Sequence, residues 1–129
     1  MKVFLSTSFL EALIQSDKKE ILKENLFTGI TSHIRYFSSA YSLHMLFLSL
    51  GSLSLEQKRM VLRNIEDLTD SIFSVSMDEI RSELLLVEGL GLEQVIALNQ
   101  GMDEFYEFSK LEKPTHPLLK MRNFFGETK

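Results

Sequence analysis

The chain opens on an apolar run, Val3-Phe4-Leu5, which predicts a short buried strand over Lys2 to Leu5. Ser8-Phe9-Leu10-Glu11 follows as a capping-box pattern for a helix that turns Phe9, Leu10, Leu13 and Ile14 inward. Asp17 and Glu20 repeat the cap ahead of a short helix carrying Ile21, Leu22 and Leu26, which stops near Thr28-Gly29. From Ser32 the spacing predicts one long helix ending at Gly51. Ile34, Phe37, Tyr41, Met45 and Leu48 form one stripe of it, and Tyr36, Ala40, Leu43, Phe47 and Leu50 a second, so it is buried on several sides.

Ser54-x-x-Gln57 starts an amphipathic helix with Met60, Val61, Ile65 and Leu68 inward and Glu56, Lys58, Arg59, Arg63 and Glu66 in water. Ser71 to Ser76 is rich in β-branched and aromatic residues and reads as a strand. Asp78 to Glu88 reads as a helix with Ile80, Leu84 and Val87 inward, interrupted by Gly89-Leu90-Gly91-Leu92. A short helix through Val95, Ile96 and Leu98 stops at Gly101, and Phe105 to Phe108 is again a strand. Pro114 and Pro117 mark the expected end of regular structure. Apolar strands alternating with helices predict a three-layer α/β/α architecture around a short parallel sheet.

A length of 129 residues with 44% hydrophobic content suits one domain. The absence of cysteine excludes disulfides, thiolate zinc sites and thiol nucleophiles, and fits a reducing compartment. No signal-peptide core is present at the start, so a cytoplasmic location is expected. A net charge of −4 argues against broad attraction to nucleic acid. Residues 36 to 55 hold no Lys, Arg, Asp or Glu, and that stretch is long enough to span a bilayer. Its serines, His44 and Gly51, with the fresh helix start at Ser54, favour a buried helix and no membrane span.

Three segments carry a family resemblance. MKVFLSTSFLEALI is similar to the first motif of PIN-type nuclease domains, a strand that delivers an aspartate into a Thr-Asn/Ser turn before a helix. ITSHIRYFSSAYSLHML resembles the second, in which a glutamate lies one and a half turns into a helix, and GMDEFYEFSKLEK resembles the last, a strand followed by an aspartate. The resemblance covers about residues 1–113 as a PIN-like domain, leaving 114–129 as a C-terminal tail, read as a helix or arm, that packs on the domain or on a partner. It places Ser6, Ser38 and Ser109 where the family has its acids, with Glu93 the nearby acid for a third position that the Gly-Leu-Gly-Leu break leaves unaligned.

PIN nucleases hold Mg²⁺ or Mn²⁺ among converging carboxylates and cut RNA. Such hard ions require charged oxygen ligands, and a neutral hydroxyl supplies none. Residues 28 to 55 contain no Asp or Glu, so no register of the second motif supplies its glutamate. The expectation is therefore a PIN-like binding or structural module, with no cofactor and no catalytic residue, that forms homo-oligomers, a dimer in the simplest case, as the resemblance implies. The rival is an Mg²⁺- or Mn²⁺-dependent ribonuclease of VapC-toxin type using displaced acids such as Glu11, Glu93 or Asp103. A third reading is an RNA binder without cleavage, with His33, Arg35 and His44 along the old cleft.

Serine catalysis needs a base, and neither spacing nor motif pairs His33, His44 or His116 with Ser6. Lys110, Lys113, Lys120 and Arg122 are interleaved with Glu112 and Glu127 and read as a solvated face. Phe105, Tyr106 and Phe108 read as core, and Asp103 and Glu104 as solvent-facing turn acids. Leu118, Leu119, Met121, Phe124 and Phe125 must bury themselves on this domain or on a protein partner.

Overall fold

The computed structural model describes residues 1–15, 33–85, 89–110 and 114–125. The helix expected over 17–28 and its neighbour Ser32 lie outside these residues, as does Val87. The described elements run β1 (Lys2–Leu5), α1 (Thr7–Ile14), β2 (Arg35–Ser39), α2 (Ala40–Ser49), α3 (Leu55–Leu68), β3 (Ser71–Phe73), α4 (Met77–Leu85), α5 (Leu92–Asn99), β4 (Glu104–Glu107) and β5 (Lys120–Asn123). The five strands form one parallel sheet in the order β3-β2-β1-β4-β5.

β1 is the central strand, and its Val3, Phe4 and Leu5 are fully buried. Strand alternation sends these residues to opposite faces. Val3 and Leu5 join Phe9, Tyr36, Leu46, Ile65, Tyr106 and Phe124 in one core; Phe4 joins Phe37, Ile96, Ala97 and Phe105 in the other. Register aligns Phe4 with Phe37 and with Phe105, and the Phe4 and Phe105 rings stack at 5.4 Å. With helices packed against both cores, the layers are α/β/α.

Four expectations are corrected. The long helix from Ser32 is a strand and then a helix: β2 takes Arg35 to Ser39, and only from Ala40 does the chain turn helical. Tyr36 and Phe37 are both buried but face different cores, so an apolar run that reads as a many-sided helix is a strand buried on two sides. Ser6, rather than Ser8, caps α1. Inward positions fail on two helices: Met60 of α3 and Leu84 of α4 are 60% and 82% exposed, and the buried residue of α4 is Glu79. Glu79 bonds to Ser76 N at 2.9 Å and to Asn99 Nδ2 at 3.0 Å, which ties α4 to α5.

The last correction concerns the tail. Residues 120–123, expected as a helix or arm packing on the domain or a partner, form the fifth strand, paired in parallel with all of β4. Phe124 is fully buried against Phe9 and Tyr106, with ring centroids 5.1 and 4.9 Å away. Leu119 enters the opposite core. Among the described residues no helix is long and apolar enough to cross a membrane.

Candidate functional site

In a parallel sheet every strand runs into its helix at the same edge, so helix N-termini gather at the C-terminal ends of the strands. Ser6 directly follows β1, and its hydroxyl accepts from Phe9 N at 3.3 Å to cap α1. Ser39 ends β2 and caps α2, accepting from Ser42 N at 3.0 Å. Glu107 ends β4, and Glu93 lies in the first turn of α5.

Glu93 joins three helix starts at one atom. Its Oε2 accepts from Thr7 N at 2.8 Å, from Thr7 Oγ1 at 3.1 Å and from Ser42 Oγ at 2.5 Å. Ser42 Oγ also lies 2.7 Å from Ser39 Oγ. A hydroxyl has one proton to give, and Ser42 gives its proton to Glu93, so Ser39 is the donor in the serine pair.

A second relay ends on Glu107. Ser8 Oγ donates to Glu107 Oε1, accepts from Phe108 N at 3.0 Å and lies 3.1 Å from Ser6 Oγ. By the same count Ser6 donates to Ser8. Ser6, Ser39 and Ser42 have no solvent exposure, and Glu107 is 4% exposed.

Burial is the main influence on Glu93 and pushes its carboxyl above the usual carboxylate range. The Ser42 hydroxyl and the Thr7 amide hold it back, while the charge of Glu107 pushes it further up. Burial likewise raises the Tyr41 phenol, with Glu93 and Glu83 adding to the effect. Beside these groups lies a pocket of about 190 Å³ bounded by Tyr41, Glu83, residues 89–94, Phe105 and Glu107.

Of the residues that the sequence motifs single out, the structure brings Ser6 and Glu93 to this edge. Ser38 is a buried strand residue whose Oγ donates to Leu5 O at 2.9 Å. It is Ser42, one turn further along, that bonds to Glu93. Ser109 lies beyond β4, its backbone N and O held by the Asn123 side chain at 3.2 and 2.9 Å. Asp103 sits at the opposite edge, where Oδ2 accepts from Lys2 N at 2.8 Å, and Glu104 faces Lys120 there at 3.6 Å. Among the described residues Glu11 shares no hydrogen bond with either relay.

The basic candidates lie elsewhere. Arg35 begins β2 and pairs with Asp70 at 2.5 Å, and His33 precedes it. His44 is exposed on α2, and His116 Nδ1 accepts from Leu118 N at 3.2 Å.

The motifs point to neither Ser42 nor Glu107, while Thr7 and Ser8 fall in the turn of the first motif without a role assigned to them. Glu107 does leave a signal, an acid inside the apolar run Phe105-Tyr106-Glu107-Phe108. Ser42 follows from spacing once Ser39 is known to cap the helix, because the third residue of the first turn faces the cap.

No protein-family model matches the chain, and no curated protein matches it. Among solved structures it is similar to a chain in the crystal structure of VapBC2 from Rickettsia felis bound to a DNA fragment from their promoter. The likeness covers 95% of this chain and 98% of that one, with a TM-score of 0.64 and 18% sequence identity. It establishes the fold, which is PIN-like.

Proposed function

We propose that this chain is a PIN-like domain without metal-dependent nuclease activity, acting as a binding or structural module that pairs with a second copy and with a protein partner. The observation that carries this is the saturation of one carboxylate oxygen, Glu93 Oε2, on which three donors of the protein's own chain converge. Mg²⁺ and Mn²⁺ need several charged or carbonyl oxygens with lone pairs free to point at the ion. Here Ser42, Thr7 and Ser8 direct their protons at the carboxylates. A buried acceptor supplied with three donors is a stable end state in itself. The donor set does not fit an ion held by converging carboxylates. The same groups instead pin α1, α2 and α5 to one another and make the former reaction edge part of the framework.

The protein partnership is supported by the similar structure, a chain of VapBC2 from Rickettsia felis bound to a DNA fragment from their promoter. One observation favours a second reading, an Mg²⁺- or Mn²⁺-dependent ribonuclease: Glu93 and Glu107 are close enough for the charge of one to shift the other, and Mg²⁺ sites can rest on two carboxylates plus substrate phosphates. Incubation of the full chain with labelled single-stranded RNA and either ion separates the two. The inactive module leaves the RNA intact at every ion concentration. Cleavage that is lost in Glu93→Gln and Glu107→Gln overturns it.

A further inference from the structure

The pocket beside the two relays is lined by two unlike kinds of residue, the acids Glu83, Glu93 and Glu107 and the apolar or aromatic Leu90, Leu92, Phe105 and Tyr41. Among the described lining residues there is no Lys, Arg or His. An acidic lining alone is no site, but Gln94 adds a separate sign. It is 1% exposed and lines the same pocket; its Nε2 donates to Pro114 O at 3.0 Å, and its Oε1 is buried with no hydrogen-bond partner. An orphaned buried acceptor is costly and calls for a donor.

Every polar side chain in this lining accepts or carries negative charge, apart from the Tyr41 hydroxyl and the committed Gln94 amide. The positive end of α5 also faces here, but a helix terminus is worth about half a unit charge and three carboxylates outweigh it. At about 190 Å³ the pocket falls short of the roughly 300 Å³ at which drug-sized sites begin. It suits a head group and a short stem.

We propose that this pocket binds an alkylammonium, its N–H donors directed at Glu83, Glu107 and Gln94 and its aliphatic stem lying along Leu90, Leu92 and Phe105. Bound there, the cation relieves the repulsion between Glu93 and Glu107 and supplies the donor that Gln94 lacks. The head group is the same whether it arrives on a free amine or on a lysine side chain. The assignment rests on the reading of this edge as metal-free.

Calorimetric titration of the full chain at low salt tests it with four probes: butylammonium, N-acetyl-lysine methylamide, tetramethylammonium and Mg²⁺. Butylammonium is expected to bind saturably with a Kd in about the millimolar range, as suits so few heavy atoms. Tetramethylammonium, which has the charge but no N–H, should show no saturable heat. Equal binding of the blocked lysine identifies a side-chain source and weaker binding a free amine, each with the pocket as assigned. Glu83 belongs to neither relay, so Glu83→Gln should keep the fold while weakening butylammonium about tenfold. Saturation by tetramethylammonium, no saturation by butylammonium, or an indifferent Glu83→Gln each overturns the proposal. If Mg²⁺ is silent as well, only the amine assignment falls; saturable Mg²⁺ binding overturns the metal-free reading itself.

Discussion

Ser42 Oγ lies 2.5 Å from Glu93 Oε2, so a hydroxyl in the first turn of α2 ends on a carboxylate in the first turn of α5. The contact joins helices that start from different strands, with Thr7 of α1 as the third party. Both partners depend on it, since Ser42 is fully buried and Glu93 is held in a setting that penalises its charge.

Removing the hydroxyl should therefore cost more than a surface serine would. Ser42→Ala takes a donor from Glu93 and an acceptor from Ser39, and the expected loss is about 1–3 kcal/mol. Chemical unfolding in urea measures it. Loss below about 0.5 kcal/mol, the level of a surface substitution, contradicts the network.

Glu93 gives stability a direction in pH. Its folded carboxyl titrates above the unfolded one, so the folded state binds more protons between the two values and stability falls as pH rises through that window. The benefit is complete below the unfolded value, about 4.3, and gone above the raised folded one. Urea unfolding across the acid range should show this slope in the native chain and lose it in Glu93→Gln. An identical slope in the two proteins would locate the effect elsewhere.

Three of the five strands, β1, β3 and β4, were legible in the sequence because they are short and apolar. Lys2 to Leu5 and Phe105 to Phe108 have no reading except buried strand, and the Ser54 capping box is met by both of its hydrogen bonds. The long helix was not legible as strand and helix, because Tyr36, Phe37, Tyr41 and Leu43 satisfy a helical period and a two-sided strand equally well. What decides is Ser39, whose cap on Ser42 N forces the helix to begin after it. That one shift puts Ser42, and not Ser38, against Glu93. The second relay stayed hidden for another reason: Ser8 and Glu107 are 99 residues apart, and only the pairing of β1 with β4 brings them together.

β5 makes the C-terminal segment part of the folding unit. Phe124 fills the space between Phe9 and Tyr106, and Phe124→Ala should cost about 3–5 kcal/mol, as emptying a fully buried aromatic site does. Thermal unfolding reads the change. A variant as stable as the parent would mean that the segment is dispensable.

The central proposal is that this PIN-like edge holds its acids by hydrogen bonding and not by an ion. Calorimetric titration of the purified chain with Mn²⁺, free of competing chelators, tests it most directly. The account predicts heats of dilution only, in the native chain and in Glu93→Gln alike. Saturable Mn²⁺ binding in the micromolar range, abolished by Glu93→Gln, would contradict it.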